Sequence, residues 1–191
     1  MLKLKLVLLL LFPLCLLQGC ATAVVTGAAT GMSIAHDRRT TGAVIDDQGI
    51  EFKAASAIYK DKTLYDQSHI NVTSYNGSVL LTGETPTEQL KQRAADLVRK
   101  IDKVRRIYNE LRIAAPSSLP SRSSDTWITS KVKTKLAAAK DVDPLYIKVV
   151  TENGVVYLMG LVTHAEADKA VNVVKKIAGV QRVVKLFEYT D

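Results

Sequence analysis

Apolar positions in the C-terminal part of the chain fall into two alternating periods. Ile128, Val132, Leu136 and Ala139 recur at helical spacing, and Asp125 ahead of them is the expected N-cap. Ile147-Lys-Val then alternates at strand period up to Asn153-Gly154, a dipeptide that favours a two-residue hairpin turn. Val155 to Met159 is the return strand, which Gly160 is predicted to end through a positive φ or a close backbone approach. Ala165 to Ile177 places Ala167, Ala170, Val171, Val174 and Ile177 on one helical face. Val180 to Tyr189 supplies a last strand. The order is αββαβ. A right-handed crossover puts both helices on the same face of a three-stranded mixed sheet.

The same order occurs earlier in the chain. Ile70/Ile147, Val72/Val149, Asn76/Asn153, Gly77/Gly154, Val79/Val156, Leu81/Leu158 and Gly83/Gly160 match at one offset. Val98/Val174, Ile101/Ile177, Val104/Val180 and Ile107/Val183 match one residue short of it. Ile50/Ile128, Lys53/Lys131 and Ile58/Leu136 match one residue beyond it. Three blocks in one order are a duplication, and the expected class is α+β with two tandem copies, at residues 45–113 and 125–191. The Ser- and Pro-rich stretch at 114–124 is predicted to link them. A unit this small is marginal alone, so Tyr157 and Met159, on the sheet face without helices, are expected to pack against the sister copy.

The chain begins differently. Residues 1–19 have a short basic start with Lys3 and Lys5, then a nearly continuous apolar run from Leu6 to Leu17, too short to span a bilayer comfortably. This is the pattern of an export signal. Leu17-Gln-Gly-Cys20 resembles the lipobox of bacterial lipoproteins, which implies acylation of Cys20 as the lipid anchor. Of the chain's 2 cysteines, Cys15 would leave with the signal, so no internal disulfide is possible. Several acyl chains hold a protein to a bilayer far more firmly than one, at about 0.8 kcal/mol per methylene. Ala21 in place of Asp after the Cys points, by the same resemblance, to the outer membrane. Residues 20–44 are expected to be the acylated N-terminus and a tether.

Net charge adds little to this picture. The formal value is +7, from 26 basic and 19 acidic residues, and loss of Lys3 and Lys5 lowers it. The surface is mildly basic and evenly mixed, which argues against nucleic acid. Beside a bilayer, such a surface suits anionic phospholipid. His36, His69 and His164 are far apart, and no metal spacing, nucleophile elbow or phosphate-cradling glycine loop is present. Neither a cofactor nor an enzymatic activity is expected. Asp46-Asp47 is expected near a helix start, where the dipole favours acids.

The repeated strand–Asn-Gly–strand–Gly–helix–Val pattern resembles the BON domain, a lipid-associated module of exported bacterial proteins. Asp37-Arg-Arg-Thr-Thr-Gly42, Ile70-Asn-Val-Thr73, Tyr108-Asn-Glu110, Asp125-Thr-Trp-Ile-Thr129 and Val149-Val-Thr-Glu-Asn-Gly154 narrow this to the dual-BON outer-membrane lipoproteins. The resemblance implies binding of anionic phospholipid, of phosphatidylglycerol or cardiolipin type, chiefly through the second domain. It also implies a periplasm-facing role in outer-membrane integrity near the division site. The lipid site of the family maps to Thr126, Trp127, Ser130, Lys131 and Val132, with Gly179 a weaker member, and Lys135 lies along the same helix. By the sequence alone a buried Trp127 is slightly favoured, since buried aromatics are common; the resemblance reverses this and puts the ring at an interface. The equivalent helix of the first domain has no Trp, so weaker lipid contact is expected there. An adaptor that binds an envelope protein or peptidoglycan is the alternative function.

Overall fold

The computed structural model describes residues 37–140 and 142–191. The export signal, Cys20 and most of the tether lie outside them. The first domain runs α1 (Thr41–Lys60), α2 (Lys62–Gln67), β1 (His69–Tyr75), β2 (Ser78–Thr85), α3 (Glu88–Arg99), β3 (Arg106–Asn109) and β4 (Arg112–Ile113). The second runs α4 (Leu119–Ala137), a 3₁₀ turn (Pro144–Tyr146), β5 (Ile147–Glu152), β6 (Val155–Val162), α5 (His164–Val174) and β7 (Arg182–Tyr189).

Each copy forms a mixed sheet. β1 pairs antiparallel with β2, and β3 and β4 pair parallel with β2; β5, β6 and β7 repeat the arrangement with an unbroken last strand. Asn76-Gly77 and Asn153-Gly154 have φ values of 51° and 73°, and of 49° and 72°. Positive φ at both central residues makes these type I′ turns, whose twist matches that of the flanking strands. Each domain has a helix-on-sheet core. Val79, Leu81, Ala94 and Val98 are buried under α1 and α3, and Val132, Val156, Leu158, Ala170 and Val174 under α4 and α5.

The sheet faces opposite the helices pack on each other. Tyr75 and Leu80 from the first domain and Tyr157, Met159 and Leu186 from the second form one buried cluster. Burial pushes the Tyr157 hydroxyl up to about 12. Polar contacts frame the cluster. Asn71 Nδ2 donates to Glu152 at 2.9 Å, Asn76 Nδ2 to Glu188 at 2.7 Å, and Lys148 Nζ to Glu51 at 2.7 Å. The chain entering α1 is bound to both domains. Arg39 donates to Asp47 at 2.7 Å and lies 3.9 Å over the Tyr75 ring. Arg38 grips Glu166 through two bonds of 2.7 and 2.8 Å and lies 4.1 Å over the Tyr146 ring.

Several boundaries differ from expectation. α4 begins two turns before Asp125, so residues 119–124 of the Ser- and Pro-rich stretch are helical, with Pro120 in the first turn, where its missing N–H costs nothing. Asp125 is therefore no N-cap. It is buried, and its carboxylate accepts the N–H groups of Asn153 and Gly154, each at 2.8 Å. Asp47 is likewise past the start of its helix and buried, accepting from Asn76 and Gly77 at 2.7 and 2.8 Å and from the Ser74 hydroxyl at 2.6 Å. β6 continues through Gly160 to Val162. Close approach is the reason for that glycine, because a Cβ there would stand 2.3 Å from the Tyr146 carbonyl oxygen.

Candidate lipid-docking groove

α4 is laid on its sheet by Ile128, Val132 and Leu136, all buried. That seating decides where the remaining side chains point, since residues one position off the core stripe turn outward. Trp127 is 65% exposed, so its ring is not part of the core. Lys131 and Thr134 fall on the same flank. Thr126, Ser130 and Thr134 each turn their hydroxyl back to the carbonyl four residues earlier, at 2.9 to 3.0 Å.

Opposite this flank runs the end of α5 and the turn that follows it. Between the two walls is a groove of about 800 Å³. Trp127, Val173, Ile177 and Ala178 supply apolar surface, while Lys131, Lys135 and Lys176 supply cations. Lys131 spans the walls, donating to the Ala178 carbonyl at 2.6 Å, with its ammonium 5.8 Å from the centre of the Trp127 ring. One of its three donors is thus engaged in holding the turn. A trough with an apolar floor and an ammonium rim can accept an anionic amphiphile, with phosphate at the lysines and hydrocarbon against Trp127 and Ile177.

The residues singled out in sequence are distributed unevenly. Trp127, Ser130, Lys131 and Lys135 line the groove. Thr126 is exposed but opens onto a neighbouring polar hollow between the domains, with His69, Asn71 and Glu152. There burial raises the Glu152 carboxyl, helped by the nearby charges of Glu84 and Asp125, and burial depresses the His69 imidazole. Val132 has no exposed surface and belongs to the core, so its place in the lipid footprint is corrected: its side chain cannot reach a ligand. Gly179 has φ 98°, and a Cβ on it would meet Ile128 at 3.1 Å. It lets the turn close against α4 and borders the hollow on the far side of Lys131, with Asp125 and Gln181. Asn172, Val173 and Lys176 were missed. The signal that could have found them is the Lys175-Lys176 pair directly after a helix whose core face omits Val173.

No His, Cys, Asp or Glu group suited to a metal occurs among the described residues, and no described helix is long and apolar enough to cross a membrane.

Comparison with known proteins places this geometry. The BON domain family model matches twice, at residues 46–115 and 124–191. The outer membrane lipoprotein DolP of Haemophilus influenzae is 41% identical over 175 residues, covering 92% of this chain and 91% of its own. The 21 kDa hemolysin of Actinobacillus pleuropneumoniae is 39% identical over 155 residues, 81% of this chain and 80% of its own. Osmotically-inducible protein Y of Escherichia coli is 27% identical over 161 residues, 83% of this chain and 80% of its own. Two family matches, one on each copy of the repeat, together with relatives aligned across both copies, place the chain in the BON domain family.

Proposed function

We propose that the protein is a non-enzymatic outer-membrane lipoprotein, held by acyl chains on Cys20, whose second domain docks on anionic phospholipid through the groove between α4 and α5. The lipid is of phosphatidylglycerol or cardiolipin type, the body faces the periplasm, and the docking supports outer-membrane integrity at the division site. The observation that carries this reading is the exposed Trp127 ring at an apolar trough rimmed by Lys131, Lys135 and Lys176. An indole with a polar edge is at home in the headgroup region, and lysine stems lie along hydrocarbon while their ammonium groups meet phosphate. The Haemophilus relative, an outer membrane lipoprotein by name, supports the location.

The test uses the chain from Ala21 onward, which lacks both cysteines but keeps both domain cores and the cluster between them. Emission of the single Trp is followed while phosphatidylglycerol or phosphatidylcholine vesicles are added. A blue shift with the anionic lipid alone is expected, and Trp127→Glu weakens vesicle binding strongly while thermal unfolding is retained. Undiminished binding by that variant would sink the proposal.

A further inference from the structure

α1 is apolar on two opposite faces. Ile50, Ala54 and Ile58 are buried against the first domain's own sheet. On the reverse face, at seven-residue spacing, stand Ile45, Phe52 and Tyr59, exposed by 61%, 77% and 65%. Tyr65 of α2 is 56% exposed and extends the row, its ring edge-on to Tyr59 with centroids 4.7 Å apart. Gly49 and Ser56 lie between these side chains, and a Cβ on Gly49 would meet nothing within 4 Å. Water-facing helices ordinarily carry polar residues on this side, and a continuous apolar row there marks a contact surface.

The charges around the row are one-sided. Lys53, Lys60 and Lys62 are exposed and have no ion-pair partner among the described residues. The acids nearby are already engaged: Asp46 with Lys103, Asp47 with Arg39 and the hairpin turn, Glu51 with Lys148, and Asp61 with Arg93. Asp66, beside Tyr65, is the exposed carboxylate of this neighbourhood. The row of Ile, Phe and Tyr lies on the outer face of one helix, and its lysines would repel a second copy of the same face. A deformable anionic surface fits both features: rings enter the boundary of headgroup and acyl chain while lysines reach the phosphates.

Position along the chain agrees. α1 starts four residues after Asp37, and the stretch from Cys20 to Asp37 can span at most about 60 Å when fully extended. An anchor at Cys20 therefore keeps Asp37 within about 60 Å of the bilayer.

We infer that the outer face of α1, Ile45, Phe52 and Tyr59 with Lys53 and Lys60, is a second bilayer-docking surface, selective for anionic lipid and separate from the Trp127 groove. Locality rests on the anchor proposed above; binding itself does not.

The experiment again uses the chain from Ala21, which is free of cysteine, so Ser56→Cys accepts a single nitroxide on the outer face of α1. Phosphatidylglycerol vesicles are expected to bring the label to the depth of the acyl boundary, by its relative accessibility to oxygen and to a water-soluble nickel chelate. Phosphatidylcholine vesicles are expected to leave it in water. A second variant, Phe52→Ser with Tyr59→Ser, alters only exposed positions and is expected to partition about tenfold more weakly into phosphatidylglycerol vesicles, with Trp127 still blue-shifted at saturating lipid. A label that stays in water where Trp127 has shifted overturns the inference and leaves the groove proposal standing; if neither responds, both fall. Self-association that Phe52→Ser abolishes also overturns it, because the face then belongs to a second copy.

Discussion

Asp47 and Asp125 each hold a hairpin turn of their own domain. A buried carboxylate accepting two backbone N–H groups makes charge-assisted bonds, and it satisfies donors that the turn leaves without a strand partner. Removing the acceptor strands those donors near the core. Asp125→Ala is therefore expected to cost about 2–4 kcal/mol in urea unfolding, and Asp47→Ala at least as much, because the Ser74 hydroxyl and Arg39 are also bound there. The two aspartates occupy matching positions in the duplication, so their pairing was legible. Their role was not. An acid just before an apolar helical stripe has the pattern of a cap, and only the three-dimensional crossing of helix and hairpin shows that the carboxylate points down into the turn. Trp127 was ambiguous for a related reason: one position off the core stripe is compatible with a ring folded under or turned out, and packing alone decides between them.

Among the elements, α5 has the best-defined start. The Thr163 hydroxyl accepts from the Glu166 N–H, and the Glu166 carboxylate returns to the Thr163 N–H at 2.8 Å, forming a capping box. Arg38 closes on the same carboxylate and, with the backbone bond from Thr163, holds it down to about 2. A carboxylate depressed in the folded state stabilises fully above its unfolded value of about 4.3, and that contribution is lost as pH falls toward about 2. NMR titration of Glu166 is expected to show this low midpoint, with Arg38→Gln raising it toward the ordinary range. The same substitution should flatten the fall in stability below about pH 4.3. The long helices, hairpins and last strands were legible as elements because their periods of two and of three to four residues are distinct, whereas the short α2 was not expected. The early start of α4 was not, since Ser118 to Ser124 is rich in residues that favour turns and is carried into the helix by the register established further on.

For the molecule as a whole, the central fact is that two marginal domains share a third core. Tyr75, Leu80, Tyr157, Met159 and Leu186 remove the uncovered faces of both sheets from water, and this contact should couple their unfolding. The wild-type chain is expected to melt in a single calorimetric transition. Met159→Glu, which places a carboxylate between the sheets, is expected to cost at least about 3 kcal/mol and to split the melt into two steps; an unchanged melt would show that this contact does not couple the domains. The alternation of Tyr157 and Met159 with core residues made this contact readable from the chain. The flanking bonds from Asn71, Asn76 and Lys148 were not, since nothing in a polar strand residue tells which partner across a gap it will meet.

The double grip of Arg38 and Arg39 has a mechanical consequence. A pull arriving along the backbone at Asp37 does not peel α1 from its end. It is divided at once between Asp47, in the first domain, and Glu166, in the second, so that the two halves are loaded in parallel like a weight hung from a bridle. Tension reaching Asp37 then turns the body as one piece and leaves the seam between the sheets unstressed.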